Sequence, residues 1–117
     1  MDWSRPLPLS LRNIDRVPPD LCGVYWIHTR RICIYIGIAV DQSIRKRLRQ
    51  HYYNCHNAAL KSWINSSAAL FFKYSEVNDK FFIPVIEDQL IEKYRPETNI
   101  RGKPERRTAH EYVASSI

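Results

Sequence analysis

Isoleucines at 32, 34, 36 and 38 alternate with Cys33, Tyr35 and Gly37, a period of two that predicts a strand with one aliphatic face. Just before it, "GVYWIH" (Gly23 to His28) is rich in the β-branched and aromatic residues that favour strands. The two runs predict a hairpin over about 22–38. With the turn centred on Arg30, Tyr25 falls directly opposite Tyr35, and opposed residues share a face. The isoleucine stripe is the expected core, so both tyrosines project from the other side. Gly23 and Gly37 belong to that tyrosine face, where they leave space beside two phenols. Such a face is either a site or a surface covered by a helix against which the tyrosines simply pack, and the pattern allows both.

Helical periodicity follows. "DQSIRKRLRQHYYN" (Asp41 to Asn54) predicts a helix with Asp41 or Ser43 as N-cap and an apolar stripe of Ile44, Leu48, Tyr52 and Cys55. Arg47 and His51 flank one side of the stripe, Arg45 and Arg49 the other, and Lys46 and Gln50 point outward. "NAALKSWINSS" predicts a second, shorter helix, and "AALFFKYSEV" (Ala68 to Val77) a third strand. Pro84 opens a helix that ends near Tyr94, since Pro96 forbids its continuation. Four of the seven prolines fall in residues 1–20, which read as an extended lead-in. The order β-β-α-(α)-β-α predicts an α/β-type (α+β) domain over 21–103 built on one small sheet, followed by a basic tail over 104–117.

The Pro84 helix carries a misplaced charge. Ile83, Ile86, Leu90, Ile91 and Tyr94 form its apolar arc, and at 100° per residue Glu87 falls inside that arc. Asp88 and Glu92 fall on the far side, where charges belong. A carboxylate in an apolar stripe costs several kcal/mol, on the order of a buried unpaired ion, unless it is paired or bound to a cation. A salt bridge to an arginine such as Arg47, or placement in the first helical turn, are the bland readings. Neither accounts well for a core-facing position, which points to a metal ligand or catalytic group.

Charge narrows the class of partner. A net +6 and a pI near 9.4 on 117 residues favour a polyanion, most commonly nucleic acid. The 44% hydrophobic content excludes a disordered chain, and no apolar run is long enough for a membrane span. The N-terminal residues show no secretory h-region, and three cysteines without CxxC spacing favour a reduced, cytoplasmic protein. His51, Cys55 and His56 offer too few ligands, two of them adjacent, for a zinc site.

Taken in order, these residues resemble the GIY-YIG nuclease superfamily. "GVY" (Gly23, Val24, Tyr25) matches its first motif and "YIG" (Tyr35, Ile36, Gly37) its second. Ile44, Arg47, Leu48 and His51 match the family helix, and Glu87, Leu90, Ile91, Pro96 and Asn99 its closing motif. The stretch "YRPETNI" is similar to the excision-repair branch of that family. The family often has Lys after the second motif's glycine; here Ile38 stands there, removing a charge that could acidify a tyrosine.

The resemblance implies a three-stranded antiparallel sheet flanked by helices and a stand-alone, Mg²⁺- or Mn²⁺-dependent endonuclease acting on DNA. It implies that Glu87 holds the metal, Arg47 stabilises phosphate charge, and Tyr25 or Tyr35 handles the attacking water with help from His51. Asn99, Gly23 and Gly37 would support the site, and Arg45, Lys46 and Arg49 would contact DNA phosphates. Tyr25 is the expected base, because it should stay the more open to solvent and metal. The alternative is a non-catalytic nucleic-acid-binding module that retains the fold.

Overall fold

A computed structural model describes residues 1–99; the expected basic tail over 104–117 lies outside the described residues. The elements are β1 (Leu7–Pro8), α1 (Leu11–Ile14), β2 (Gly23–His28), β3 (Cys33–Ala39), α2 (Ile44–Asn54), α3 (Ala58–Ile64), β4 (Phe71–Glu76) and α4 (Phe82–Tyr94). The expected α+β architecture is present: one antiparallel sheet, ordered β1-β4-β2-β3, flanked by helices.

The sheet has four strands rather than three. The extra strand is the two-residue β1, whose Leu7 and Pro8 pair with Phe72 and Phe71. Period-two patterning cannot reveal so short a strand, and its proline is tolerated because β1 lies at the sheet edge. The lead-in also supplies α1, capped by Ser10, and buries Ile14 and Val17 completely.

The hairpin register differs from the one expected. Tyr25 pairs with Gly37 and Ile27 with Tyr35, two residues away from the predicted match. A two-residue shift preserves side-chain parity, so both tyrosines still share a face. Beyond Ile27 the partner steps from Tyr35 to Cys33, leaving Ile34 as an extra residue in a β-bulge. The bulge breaks the isoleucine stripe. Ile34 joins the cluster containing Tyr25 and Ile27, Ile36 is buried outside it, and Ile32 is exposed in the turn.

Both faces of the sheet are therefore covered. Ile44 and Leu48 of α2 pack in the cluster with Tyr25 and Ile27. On the face bearing Trp26, Tyr94 of α4 sets its ring 4.6 Å from the indole. The helix α2 starts after Ser43, whose hydroxyl accepts from the Lys46 amide. It buries Ile44, Leu48 and His51, while the expected core residue Tyr52 is exposed. The helix α4 begins two residues before Pro84 and stops at Tyr94 as expected, with Arg95 in the left-handed region (φ 48°) ahead of Pro96.

That left-handed turn sends residues 97–99 along the free edge of β3. Glu97 N–H donates to the Cys33 carbonyl, and the Thr98 amide and hydroxyl both donate to that of Ile34. Asn99 completes the edge: its Oδ1 accepts from Ile36 N–H at 2.8 Å and its Nδ2 donates to Ile36 O at 2.7 Å. A side-chain amide thus stands in for a neighbouring strand, which an edge otherwise lacks.

Replacing Asn99 with Ala leaves two buried backbone groups of Ile36 without those partners, at about 1–3 kcal/mol each. Urea unfolding of Asn99→Ala should show a loss of about 2–4 kcal/mol with an unchanged m value. A loss below about 0.5 kcal/mol would mean that the edge pairing is dispensable.

Candidate active site

Gly37 is where the two tyrosines meet. A Cβ built there would lie 2.4 Å from Cζ and 2.5 Å from the hydroxyl oxygen of Tyr25, and 2.7 Å from Cε2 of Tyr35. The Tyr25 ring therefore lies over bare backbone of β3, with its centroid 6.1 Å from that of Tyr35. Gly23 acts differently. Its φ of +151° is one that residues with a side chain rarely adopt, and a Cβ there would sit 2.1 Å from the Ser75 carbonyl oxygen. Its part is to let β2 approach β4.

The structure corrects the expected exposure of the phenols. Tyr25 is fully buried in the core cluster, whereas Tyr35 is partly exposed and lines a cleft of about 1250 Å³ beside α2. Arg47, His51, Lys46 and Arg49 line the same cleft. The open tyrosine is Tyr35, because His51 closes over Tyr25 from α2. The Tyr25 hydroxyl and His51 Nε2 lie 2.6 Å apart, and the His51 ring packs on both phenols. The tyrosine face is thus both helix-covered and polar.

Burial controls the ionisation of this cluster. Desolvation pushes the Tyr25 phenol well above its usual range, a charge on Tyr35 would push it further, and Arg47 pulls the other way. Tyr35 is also raised by burial, with Arg47 opposing the shift. The directions make Tyr35 the phenol that ionises first, since it is less enclosed and a charge there suppresses ionisation of Tyr25. His51 is lowered to about 4 by burial, then by Arg47 and His56, so it is neutral at pH 7.

Arg47 is held by Gln50, whose Oε1 accepts from its Nη1 at 3.0 Å. Its charge bears on Tyr25, Tyr35, His51 and Cys55 together, which makes it the electrostatic centre of the cluster. Glu87 completes the constellation. It stands between Ile83 and Ile91 in the buried stripe of α4, is 2% exposed, and lies close enough to raise both phenols. The carboxylate that helical spacing placed in the apolar arc is indeed inside it.

The remaining expected residues are placed less centrally. Arg45 donates to the Val17 and Asp15 carbonyls, both at 2.7 Å, and so ties α2 to the lead-in. Arg49 pairs with Asp15 at 2.5 Å and lies over the Tyr53 ring. Lys46 is exposed on the cleft. Asn99 acts through the β3 backbone rather than within the cleft. Sequence reasoning missed Gln50 as the support of Arg47, and, having set a zinc site aside, it left Cys55, whose Sγ lies 3.6 Å from His51 Nδ1, as core. Their spacings of i,i+3 and i,i+4 were the available signal.

A metal must be judged from these donors. Among the described residues no group of three or more His, Cys, Asp or Glu side chains could hold an ion. A site built on the single carboxylate of Glu87 suits a hard cation such as Mg²⁺, which keeps several waters and takes further oxygens from a substrate phosphate.

The family model for the GIY-YIG catalytic domain matches residues 21–79. The chain belongs to the GIY-YIG family. Its fold is similar to crystal structures of the GIY-YIG N-terminal endonuclease domain of UvrC from Thermotoga maritima. With the magnesium-bound form it shares 25% identity at a TM-score of 0.59, covering 76% of this chain and 94% of that one. Two point mutants of that domain, each bound to the catalytic divalent cation, give 25% identity with a TM-score of 0.61 and 29% with 0.59. In both cases the match covers 78% of this chain and 96% of that one. No curated protein matches the chain in sequence. The expected closing motif, with Glu87 and Asn99, lies beyond the residues that the family model matches.

The depressed His51 value fixes a pH dependence. A folded-state pKa of about 4 against 6.5 unfolded stabilises the fold above pH 6.5, and this is lost as pH falls towards 4. The full swing is about 3 kcal/mol at 1.36 kcal/mol per unit. Urea midpoints should therefore drop between pH 6.5 and 4.5. His51→Gln should remove most of that slope, leaving a smaller part from His28, which burial also lowers. Identical slopes in the two proteins would mean that His51 is not buried neutral.

Proposed function

We propose that the chain is a metal-dependent endonuclease that hydrolyses phosphodiester bonds in DNA and works in the cytoplasm. The single observation that carries this reading is the convergence of Tyr25, Tyr35, Arg47 and His51 around the bare backbone of Gly37, with the buried Glu87 bearing on both phenols. A purely structural core has no use for two phenols and an imidazole packed together under the charges of an arginine and a buried carboxylate. The likeness to a UvrC endonuclease domain supports DNA as substrate and a repair setting.

In this mechanism the scissile phosphate enters the cleft beside α2. Arg47, braced by Gln50, donates to its non-bridging oxygens and stabilises the charge that develops there. Tyr35 meets the attacking water, because it is the phenol on the cleft wall and the one that gives up its proton more readily. Tyr25 stays protonated and, with His51, fixes the Tyr35 side of the site. Glu87 would hold Mg²⁺ or Mn²⁺, which when bound neutralises phosphate charge. Lys46, on the exposed edge of the cleft, supplies a sequence-independent phosphate contact, with Arg49 beside it.

A plasmid-nicking assay with and without Mg²⁺ tests the reading. The parent protein should nick only with the cation, and Glu87→Gln should lose about a hundredfold or more of the rate while keeping its fold. DNA retention without cleavage in the parent would favour the non-catalytic binding module instead. Cleavage by Glu87→Gln within a few-fold of the parent would remove the metal-ligand assignment.

The two phenols should behave unequally. A free phenol has a pKa of about 10, so cleavage that depends on phenolate should rise with alkaline pH. Tyr35→Phe should abolish that rise, whereas Tyr25→Phe should lower the rate but retain it. The reverse pattern would make Tyr25 the base.

A further inference from the structure

The Tyr25–His51 contact leaves open which partner donates, and the surroundings decide. Tyr25 is fully buried, so its hydroxyl hydrogen cannot be satisfied by solvent. The Tyr25 hydrogen therefore needs an acceptor of its own. A separation of 2.6 Å is short for a neutral N–H···O bond and ordinary for a hydroxyl donor. Tyr25 O–H thus donates to Nε2. A neutral imidazole has one N–H, so that hydrogen sits on Nδ1.

Nδ1 faces Cys55. The thiol sulfur lies 3.6 Å from it, four residues along the chain, at the C-cap of α2. The thiol hydrogen is directed elsewhere, to the Asn57 carbonyl at 3.4 Å. That carbonyl is itself fixed. It accepts from Lys61 N–H, and the Asn57 side chain caps Leu60 and donates to Thr98 O at 2.8 Å. With its hydrogen committed to Asn57, the sulfur presents a lone pair to Nδ1–H.

We propose that Cys55 is a positioning residue: its sulfur accepts from His51 Nδ1–H, holds the neutral imidazole in that tautomer, and so keeps Nε2 free to accept the Tyr25 hydroxyl hydrogen. The order is Tyr25 O–H to His51 Nε2, His51 Nδ1–H to Cys55 Sγ, and Cys55 S–H to Asn57 O. Tyr25 is thereby anchored to α2, with its ring held over Gly37 beside Tyr35. The consequence for cleavage rests on the nuclease reading above; the tautomer does not.

The test is ¹⁵N NMR of the full chain labelled at histidine, with the His51 resonances assigned by their loss in His51→Gln. The parent at pH 7 should carry its proton on Nδ1, with Nε2 unprotonated. Cys55→Ala should shift His51 towards the Nε2–H form, and cleavage turnover should fall about tenfold with KM unchanged. Cys55→Ser supplies a hydroxyl acceptor and should restore both tautomer and turnover to within about threefold. A parent proton on Nε2, or an unchanged tautomer in Cys55→Ala, overturns the assignment whether or not the protein cuts DNA. Loss of turnover in Cys55→Ala without a tautomer change, or without rescue by Ser, would mean that the sulfur only fills space. A shifted tautomer with unchanged turnover would remove its role in cleavage.

Discussion

The site depends on Tyr25 lying flat across β3, and that depends on the missing side chain at Gly37. Any Cβ there would collide with the phenol ring and with Tyr35. With the ring in place, the Tyr25 hydroxyl reaches His51, and α2 is thereby set over the tyrosine face with Arg47 on the same side. One absent methyl group thus brings together groups from two strands and a helix. A tyrosine pushed off Gly37 would leave His51 Nε2 buried without its donor, a cost on the order of 1–3 kcal/mol before any repacking.

The cluster is polar yet poor in positive charge. Both phenols are held protonated by burial, His51 is held neutral, and Glu87 adds a negative charge that opposes ionisation of either tyrosine. Arg47 is the cation that acts on all of them. Ile38, partly buried where a lysine is common in the family, adds none. A divalent ion held by Glu87, as proposed above, would offset the carboxylate and favour ionisation at Tyr35. Under the proposed function the cation would thereby favour phenol ionisation as well as clamp phosphate.

Much of this was legible in the sequence, for reasons of parity and periodicity. Tyr25 and Tyr35 share a face under any register that shifts by two, so their partnership survived a wrong turn centre. Glu87 was conspicuous because helical spacing alone put it between Ile83 and Ile91. What escaped depended on tertiary detail. The Ile34 bulge moved the isoleucine stripe, and nothing in an alternating pattern marks where a bulge falls. A two-residue strand has too little pattern to be read. Tyr52 and His51 were exchanged as core because hydrophobicity ranks tyrosine above histidine, whereas the hydrogen bond to Tyr25 makes burying His51 the better choice. The openness of Tyr25 was misjudged because α2 closes over one tyrosine and not the other, which strand geometry cannot foresee.

The last constraint is on Glu87. Under the proposed mechanism, a carboxylate that acts with two phenols has to be held in register with β3, although α4 lies some fifty residues further along the chain. The left-handed turn at Arg95 accomplishes this by folding residues 97–99 back onto β3, where their amides and the Asn99 side chain bond to Cys33, Ile34 and Ile36. Those residues flank Tyr35 and lead into Gly37. The C-terminal end of α4 is thus stitched to the strand that carries Tyr35, and Ile83 and Ile91 seat the helix on either side of the carboxylate. Asn99 does not line the cleft, yet it fixes the strand against which Glu87 is positioned.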